Sequence, residues 1–362
     1  MTIPPETIPP VRIPPVRTPP AAVTSEGQVT LAGELAAAVA RLAAAGVASP
    51  RGDAEQLAAH VLDVSRGRLA LVEVISTSAA QELRHLVERR ADRVPLQHLT
   101  GLAGFRRLDI AVGPGVFIPR PETEWVVEEA IRLLRVSGAV RPICVDLCAG
   151  SGAIALSLAD EVRGAEVHAV ELEPAALDWL RRNVGRTGLP VRVHQADVGV
   201  VGAGPPPASA ASTRSAAEPV GGVLRAPGVL GVLGVLGELA GRVDLVVSNP
   251  PYLPDHERSR VEPEVGRHDP PAALWGGPDG LDGPRAVVTA AAGLLRPGGL
   301  LVMEHADEHG QAVPALLASG GPWSGSWSDI VDHPDLAGRD RFVTARWDPP
   351  GRGRPGSAGE DA

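Results

Sequence analysis

From Ile143 onward the chain alternates short runs of β-branched and aliphatic residues with longer stretches of helical spacing. Strands are predicted at 143–147, 165–170, 190–195, 243–247 and 299–304, and helices at 153–162, 174–187, 282–295 and 308–318. The run from Val243 to Val247 is largely apolar instead of alternating, as expected for a buried parallel strand. Such a sequence has few ways to fold other than a doubly wound, mostly parallel sheet with helices on both faces. Two further strands, 327–333 and 340–347, are joined by a short polar connection, so they are expected to pair antiparallel at the sheet edge.

Earlier residues follow a different pattern. Residues 29–93 carry helical stripes (Leu31, Leu35, Ala38, Val39, Leu42; then Leu57, Val61, Leu62; then Leu83, Leu86, Val87) and predict a small helical domain, with Asp53 placed to cap its second helix. Residues 94–121 are extended and turn-rich, linking this domain to one spanning 122–348, whose first helix runs from about Glu122 to Arg135. Residues 1–28 are a Pro-rich arm and 349–362 a Gly/Pro tail, both expected to be disordered. Residues 199–240, where Gly-Val-Leu occurs three times in succession from Gly228, interrupt the alternation and are expected to form a flexible inserted loop.

Composition narrows the function. A net charge of −9 and 3% aromatic residues argue against a general nucleic-acid binder. Cys144 and Cys148 are the only cysteines, and four residues of strand separate them by about 13 Å, too far for a disulfide. A reducing compartment fits, and a cysteine-based zinc site is excluded. No signal peptide is expected from the first residues, and no uncharged apolar stretch is long enough to span a bilayer. The expectation is a cytoplasmic monomer without a metal or membrane partner.

Two motifs carry the chemistry. Val145-Asp146-Leu147-Cys148-Ala149-Gly150-Ser151-Gly152 joins the first strand to a helix, and its glycines let the backbone approach a ligand. Glu171 ends the next strand, 19 positions past Gly152, where a carboxylate can bind both hydroxyls of a ribose. Asp197, ending the third strand, could reach an adenine amino group, and Val198 could pack on the base. The loop also satisfies the loose dinucleotide pattern, but Asp146, read as part of the turn, would repel a pyrophosphate while suiting a sulfonium cofactor with a cationic amino-acid end. Asn249-Pro250-Pro251-Tyr252 follows the strand at 243–247. The prolines lack an N–H, so this segment offers carbonyl acceptors, the Asn249 amide oxygen and a flat aromatic face, which together suit a planar –NH2 group. A methyl donor at the first strand and a gripped –NH2 at the fourth give an amino or amide N-methyltransferase, with Asn249, Pro250 and Tyr252 doing the catalytic work by alignment.

The motifs alone do not separate a glutamine amide from the exocyclic amine of adenine. The chain resembles the HemK/PrmC-type glutamine methyltransferases of peptide chain release factors over roughly 30–198 and 238–347. The matching segments are Asp53-Ala54-Glu55 with Ala59-His60-Val61-Leu62, Pro95 to Gly101, Phe117-Ile118-Pro119-Arg120-Pro121-Glu122-Thr123-Glu124, the Gly loop, Asn249 to Tyr252, Gly276 to Asp282, and Asp335 to Arg341. The resemblance implies a class I Rossmann-like fold and S-adenosylmethionine as donor. It also implies, as acceptor, the glutamine of the Gly-Gly-Gln motif in class 1 release factors, docked by the helical domain. Carried over by position, Cys148, Ala149, Gly150, Ser151, Gly152, Glu171, Val198 and Asn249 contact the cofactor, and Asn249, Pro250, Pro251 and Tyr252 hold the glutamine. The chain departs from the family at Cys148-Ala149, where Gly-Thr is usual, at Glu171, where Asp is commoner, and in the insertion after Val198. A ribosomal-protein glutamine methyltransferase and a DNA or RNA amino-methyltransferase are the alternatives, with an NAD-dependent dehydrogenase further behind. Arg120 and His305 are equally well read as a satisfied loop arginine and a strand-end histidine, and Glu262 and Asp269 as lid-like loop surface.

Overall fold

The computed structural model describes residues 27–199, 230–321 and 325–350. Residues 1–26 of the N-terminal arm, residues 200–229 of the insertion and the C-terminal tail from 351 lie outside them, while Gln28, expected in the arm, begins a strand. The chain divides into two compact units, at 1–92 and 93–362.

In the first unit, β1 (Gln28–Thr30) leads into α1 (Leu31–Ala44), followed by α2 (Pro50–Leu62), β2 (Val74–Ser76) and α3 (Thr77–Ala91). β1 and β2 pair antiparallel, bringing Val29 opposite Ile75. Leu31, Ala38, Leu42, Leu83 and Val87 are buried as their spacing predicts, whereas Leu35 and Val39 are only half-buried. The second helix buries a face of small residues, Ala54, Leu57 and Ala58, and leaves Val61 and Leu62 half-exposed. Asp53 is not a cap. Ser49 occupies the N-cap position, and Asp53 lies buried one turn inside, accepting from Arg90 Nε at 2.7 Å. The two charges meet at 2.7 Å where little water can screen them. Ser76 caps α3 by accepting from the Ala79 amide at 3.1 Å.

The second unit opens with α4 (Leu96–Thr100) and a hairpin of β3 (Leu102–Phe105) and β4 (Leu108–Ala111). Then come α5 (Thr123–Ser137), β5 (Ile143–Leu147), α6 (Ala153–Glu161), β6 (Glu166–Glu171), α7 (Pro174–Thr187) and β7 (Val191–Gln195). After the insertion follow α8 (Val232–Val235), β8 (Val243–Ser248), α9 (Pro263–His268), α10 (Pro271–Leu274), α11 (Asp282–Leu294), β9 (Leu295–Glu304), α12 (Ala312–Ala318), β10 (Ser326–Pro334) and β11 (Asp340–Asp348).

Seven strands form one sheet in the order β10-β11-β9-β8-β5-β6-β7. The five central and outer strands from β9 to β7 run parallel, while β11 lies antiparallel to β9, and β10 antiparallel to β11. This is the doubly wound sheet with an antiparallel edge that the alternation implies. The order reverses at β5, whose neighbours are β6 and β8, and the crevice at the carboxyl ends of those strands is where such folds bind ligands. One apolar cluster covers each face. Helices α5, α6 and α7 pack on one through Val127, Ile131, Leu156 and Leu180, and helices α8, α11 and α12 on the other through Val232, Val288, Leu294 and Leu317.

The insertion requires a correction. Its last residues are not a flexible loop but part of the second cluster, with Val232, Leu236 and Leu239 all at least 96% buried. The chain leaves after Gly199 and returns beside Asp197: the Asp197 amide donates to Leu230 at 3.1 Å and the Val232 amide to Asp197 at 3.2 Å. Triplet repetition of Gly, Val and Leu suggests low complexity, yet Val and Leu bury apolar surface wherever a groove accepts them.

Candidate functional site

β5 delivers the Gly loop. Residues Cys148, Gly150 and Gly152 all have positive φ, at 63°, 56° and 88°, and the turn they make starts α6. The two glycines do different jobs. A Cβ on Gly152 would overlap the buried Leu180, so that glycine lets α7 pack closely. A Cβ on Gly150 would meet nothing within 4 Å, so the backbone there faces open space. Ser151 is buried, and its carbonyl accepts from Asn183 Nδ2 at 3.0 Å. Ala149 donates its amide to Val170 at 2.9 Å, which fastens the loop to β6. Cys148 and Cys144 are both free thiols, and burial raises both.

Asp146 lies within β5 and is fully buried, not in the turn. Its Oδ2 accepts from the Ala155 amide at 3.0 Å, fixing the first turn of α6, while its Oδ1 is buried without a partner. Burial pushes its carboxyl well above the usual carboxylate range. A buried orphan oxygen beneath a glycine loop is a place for a donor from a ligand.

Glu171 ends β6 with its carboxylate turned back to the loop. Oε2 accepts from the Gly150 amide at 2.7 Å, and Oε1 from the Leu172 and Glu173 amides, each at 2.8 Å. A carboxylate has about four lone-pair sites. Three of them are used here. One ribose hydroxyl fits the remaining site directly, and a second requires the Gly150 amide to let go. Burial raises this carboxyl too, opposed by the three amides. Asp197 Oδ1 accepts from the Gly199 amide at 2.8 Å, and Val198 is buried beside it.

β8 delivers Asn249 to Tyr252. A glycine-rich wall packs directly behind them. A Cβ on Gly276 would lie 2.8 Å from the Pro251 carbonyl oxygen, one on Gly283 would overlap that same oxygen, and one on Gly280 would overlap the Tyr252 carbonyl oxygen. The Leu253 amide donates to Leu274 at 2.8 Å, and the Gly276 amide to Leu253 at 2.9 Å, so the residue after the tetrapeptide is tied by a single parallel bridge to Trp275. Asn249 donates its Nδ2 to Thr123 Oγ1 at 3.2 Å, and Tyr252 donates its hydroxyl to Glu304 Oε1 at 2.9 Å.

Beside the tetrapeptide opens a cavity of ≈ 150 Å³ lined by Phe117, Arg120, Asn249, Tyr252, Leu253, Val265, Ala273 and Leu274. The structure gathers Asn249 and Tyr252 there with two residues that sequence reasoning left undecided or passed over, Arg120 and Phe117. The Arg120 guanidinium lies 4.9 Å from the Phe117 ring centre and pairs with Asp269 at 2.5 Å. Asp269 is therefore buried support for the cavity wall and not lid surface. His305 is fully buried and bonds Asp332 at 2.7 Å, away from the cavity lining. The segment from Phe117 to Pro121 carried the signal, since two prolines fix its path close to an aromatic and a cation.

Among the described residues no group of three or more His, Cys, Asp or Glu side chains is placed to hold a metal ion, and no helix is long and apolar enough to cross a membrane.

The sequence is similar to known proteins in both units. Residues 35–101 match the PrmC N-terminal domain and residues 144–213 a methyltransferase domain. A release factor glutamine methyltransferase of Streptomyces coelicolor is 46% identical over 316 residues, 87% of this chain and 98% of that protein. Proteins of the same name from Mycolicibacterium smegmatis and Mycobacterium tuberculosis are 46% and 42% identical, covering 85% and 88% of this chain and 95% and 92% of their own lengths. With both regions matched and nearly the whole length of these relatives spanned, the chain belongs to the release factor glutamine methyltransferase family.

Proposed function

We propose that this protein methylates the side-chain amide nitrogen of the glutamine in the Gly-Gly-Gln motif of class 1 release factors, using S-adenosylmethionine. The observation that carries this reading is the cavity at Asn249 and Tyr252, where a side-chain amide stands against aromatic and aliphatic walls beside the Arg120 guanidinium. A glutamine side chain has an apolar stem and a planar amide, and the lining divides the same way. S-adenosylmethionine, when bound, supplies a methyl group on a positively charged sulfur.

The residues on the cofactor side fit that molecule. Gly150 leaves backbone room, Asp146 Oδ1 is buried and unpartnered, and Glu171 retains a lone-pair site for a ribose hydroxyl. Asp197 and Val198 would flank the adenine, and Cys148, Ala149, Ser151 and Gly152 would shape the turn.

On the acceptor side the chain's task is alignment. An amide nitrogen is a weak nucleophile because its lone pair is delocalised, so orientation has to supply most of the rate. Asn249 Oδ1 and the Pro250 carbonyl would accept the two amide hydrogens, while Tyr252 and Phe117 hold the plane. Both oxygens also stabilise positive charge on the nitrogen as the new bond forms. The alkylated nitrogen is strongly acidic and loses its proton to water, so no strong base is required. The helical unit would dock the release factor.

The test is mass spectrometry of a purified release factor after incubation with S-adenosylmethionine and either wild type or Asn249→Ala. One added methyl on the Gly-Gly-Gln glutamine, lost in the variant, is expected. Methylation elsewhere, or none by a wild type that binds the cofactor, would refute the reading.

A further inference from the structure

A cation in the wall of a small cavity, among Phe117, Leu253, Val265 and Leu274, is costly unless it is paired. Asp269 provides the charge, but the two side chains face different ways. The Asp269 side chain is 1% exposed and that of Arg120 33%, so the carboxylate is sealed behind while the guanidinium keeps an open side. A guanidinium carries five N–H donors in a rigid fork and no acceptor. Arg120 gives one of them to Asp269 Oδ2, and no other described residue accepts from its side chain. The Phe117 ring, 4.9 Å away, supports the fork from one side.

Other polar groups of the lining have less to give. Tyr252 spends its only hydroxyl hydrogen on Glu304, Asn249 spends one of its two amide hydrogens on Thr123, and the Leu253 amide is bound to Leu274. An amide side chain entering the cavity brings two N–H groups and one carbonyl oxygen, and the oxygen loses water as the nitrogen does. We propose that Arg120, held from behind by Asp269, is the substrate-binding residue that donates to the side-chain carbonyl oxygen of the acceptor glutamine. This rests on the methyl-transfer reading above and supplies a partner for the half of the acceptor amide that Asn249 and Pro250 leave unmatched.

The chemistry gives this contact a sign. A donor on the carbonyl oxygen draws the nitrogen lone pair further into the amide, so it favours binding and not attack. As the methyl carbon bonds to nitrogen, that lone pair leaves the conjugated system and the oxygen loses negative charge. The hydrogen bond from Arg120 therefore weakens toward the transition state, and its contribution falls on KM instead of kcat. It also selects the acceptor, because a side chain without a carbonyl leaves the fork desolvated and unmatched.

The experiment measures steady-state methylation of a purified release factor by wild type, Arg120→Met and Arg120→Met/Asp269→Asn. Methionine keeps an unbranched stem but no donor. The double variant also removes the carboxylate that would be left buried without its cation, and it carries the test if the single variant does not fold. KM for the release factor is expected to rise about tenfold, with kcat no lower than about half that of wild type and Kd for S-adenosylmethionine within about twofold. Calorimetric titration then compares that release factor with one carrying leucine in place of the acceptor glutamine. Wild type should bind the leucine form about tenfold more weakly, and the Arg120 variants should bind the two forms within about threefold of each other. An unchanged KM, a loss in kcat instead, or an equal loss of affinity for both release factors, as a contact to the backbone would give, would overturn the assignment. Failure of wild type itself to methylate the release factor would instead overturn the functional reading.

Discussion

Asn183→Ala offers the most demanding check on how the cofactor loop is built. Asn183 sits on α7, is 99% buried and binds three backbone groups. Its Oδ1 accepts from the Ala111 amide at 2.8 Å, and its Nδ2 donates to the Ala111 carbonyl at 2.9 Å and to the Ser151 carbonyl at 3.0 Å. Antiparallel pairs alternate between bonded and non-bonded, and the Val112 amide already bonds Gly101 at 3.1 Å. Ala111, paired with Leu102, therefore points its own N–H and C=O outward from the hairpin, and Asn183 alone among the described side chains meets them. Alanine would strand three buried polar groups at about 1–3 kcal/mol each, less whatever water recovers in the space left behind. A loss of about 4 kcal/mol is expected, roughly 10 °C in the melting temperature of a unit this size. Guanidinium unfolding of both proteins measures the first and calorimetry the second. S-adenosylmethionine affinity, read by titration calorimetry, should drop in parallel because the Ser151 carbonyl tethers the Gly loop. A stability loss below about 1 kcal/mol would show that these three bonds do not hold the loop, and the argument would fail.

Other outcomes follow from the same geometry. Gly152→Ala should lose about 2–5 kcal/mol of stability, from a positive φ and overlap with Leu180, whereas Gly150→Ala, with a positive φ but open space, should lose only about 1–2 kcal/mol yet bind S-adenosylmethionine at least tenfold more weakly; similar stabilities for the two would contradict the division of labour between them. Burial raises the Asp146 carboxyl, so the folded chain keeps a proton that the unfolded chain releases near pH ~4. Its contribution is complete below that value and is lost as pH rises toward the folded-state value. Asp146→Asn should therefore flatten the decline in melting temperature between weakly acidic and neutral pH, and an unchanged slope would assign that decline elsewhere.

The central strands were legible because they are buried on both faces, so runs such as Val243 to Val247 stand out without reference to partners. Strand ends were legible for the same reason, and with them Gly150, Glu171 and Asn249, which sit where apolar runs stop. Residues that act through distant partners were not. Thr123 and Asn249 are 126 positions apart, Tyr252 and Glu304 are 52 apart, and neither pairing leaves a local pattern. Asp53 shows the limit differently, since its place near a helix start suited a cap until Arg90, 37 residues away, proved to be its partner. Asp146 was misplaced by one structural class: a charged residue beside a glycine turn looks like part of the turn, and only its burial shows it belongs to the strand. What the glycines at 276, 280 and 283 do is not visible locally either: carbonyl oxygens of Pro251 and Tyr252 fill the space a side chain would need.

The anchor that ends the insertion is written in near-duplicate. Gly231-Val232-Leu233 is followed by Gly234-Val235-Leu236 and preceded by Gly228-Val229-Leu230, so a shift of three residues puts the same side-chain types back at every one of the first anchoring positions. Loss or gain of one triplet in the coding sequence would therefore change the length of the insertion while presenting the same residues to the groove against α11 and to Asp197. Slippage at such a stretch of the gene would vary the loop's length and leave valine and leucine at the buried positions of Val232 and Leu236. The repeat acts as an expansion joint at the level of heredity, with Asp197 as the fixed end.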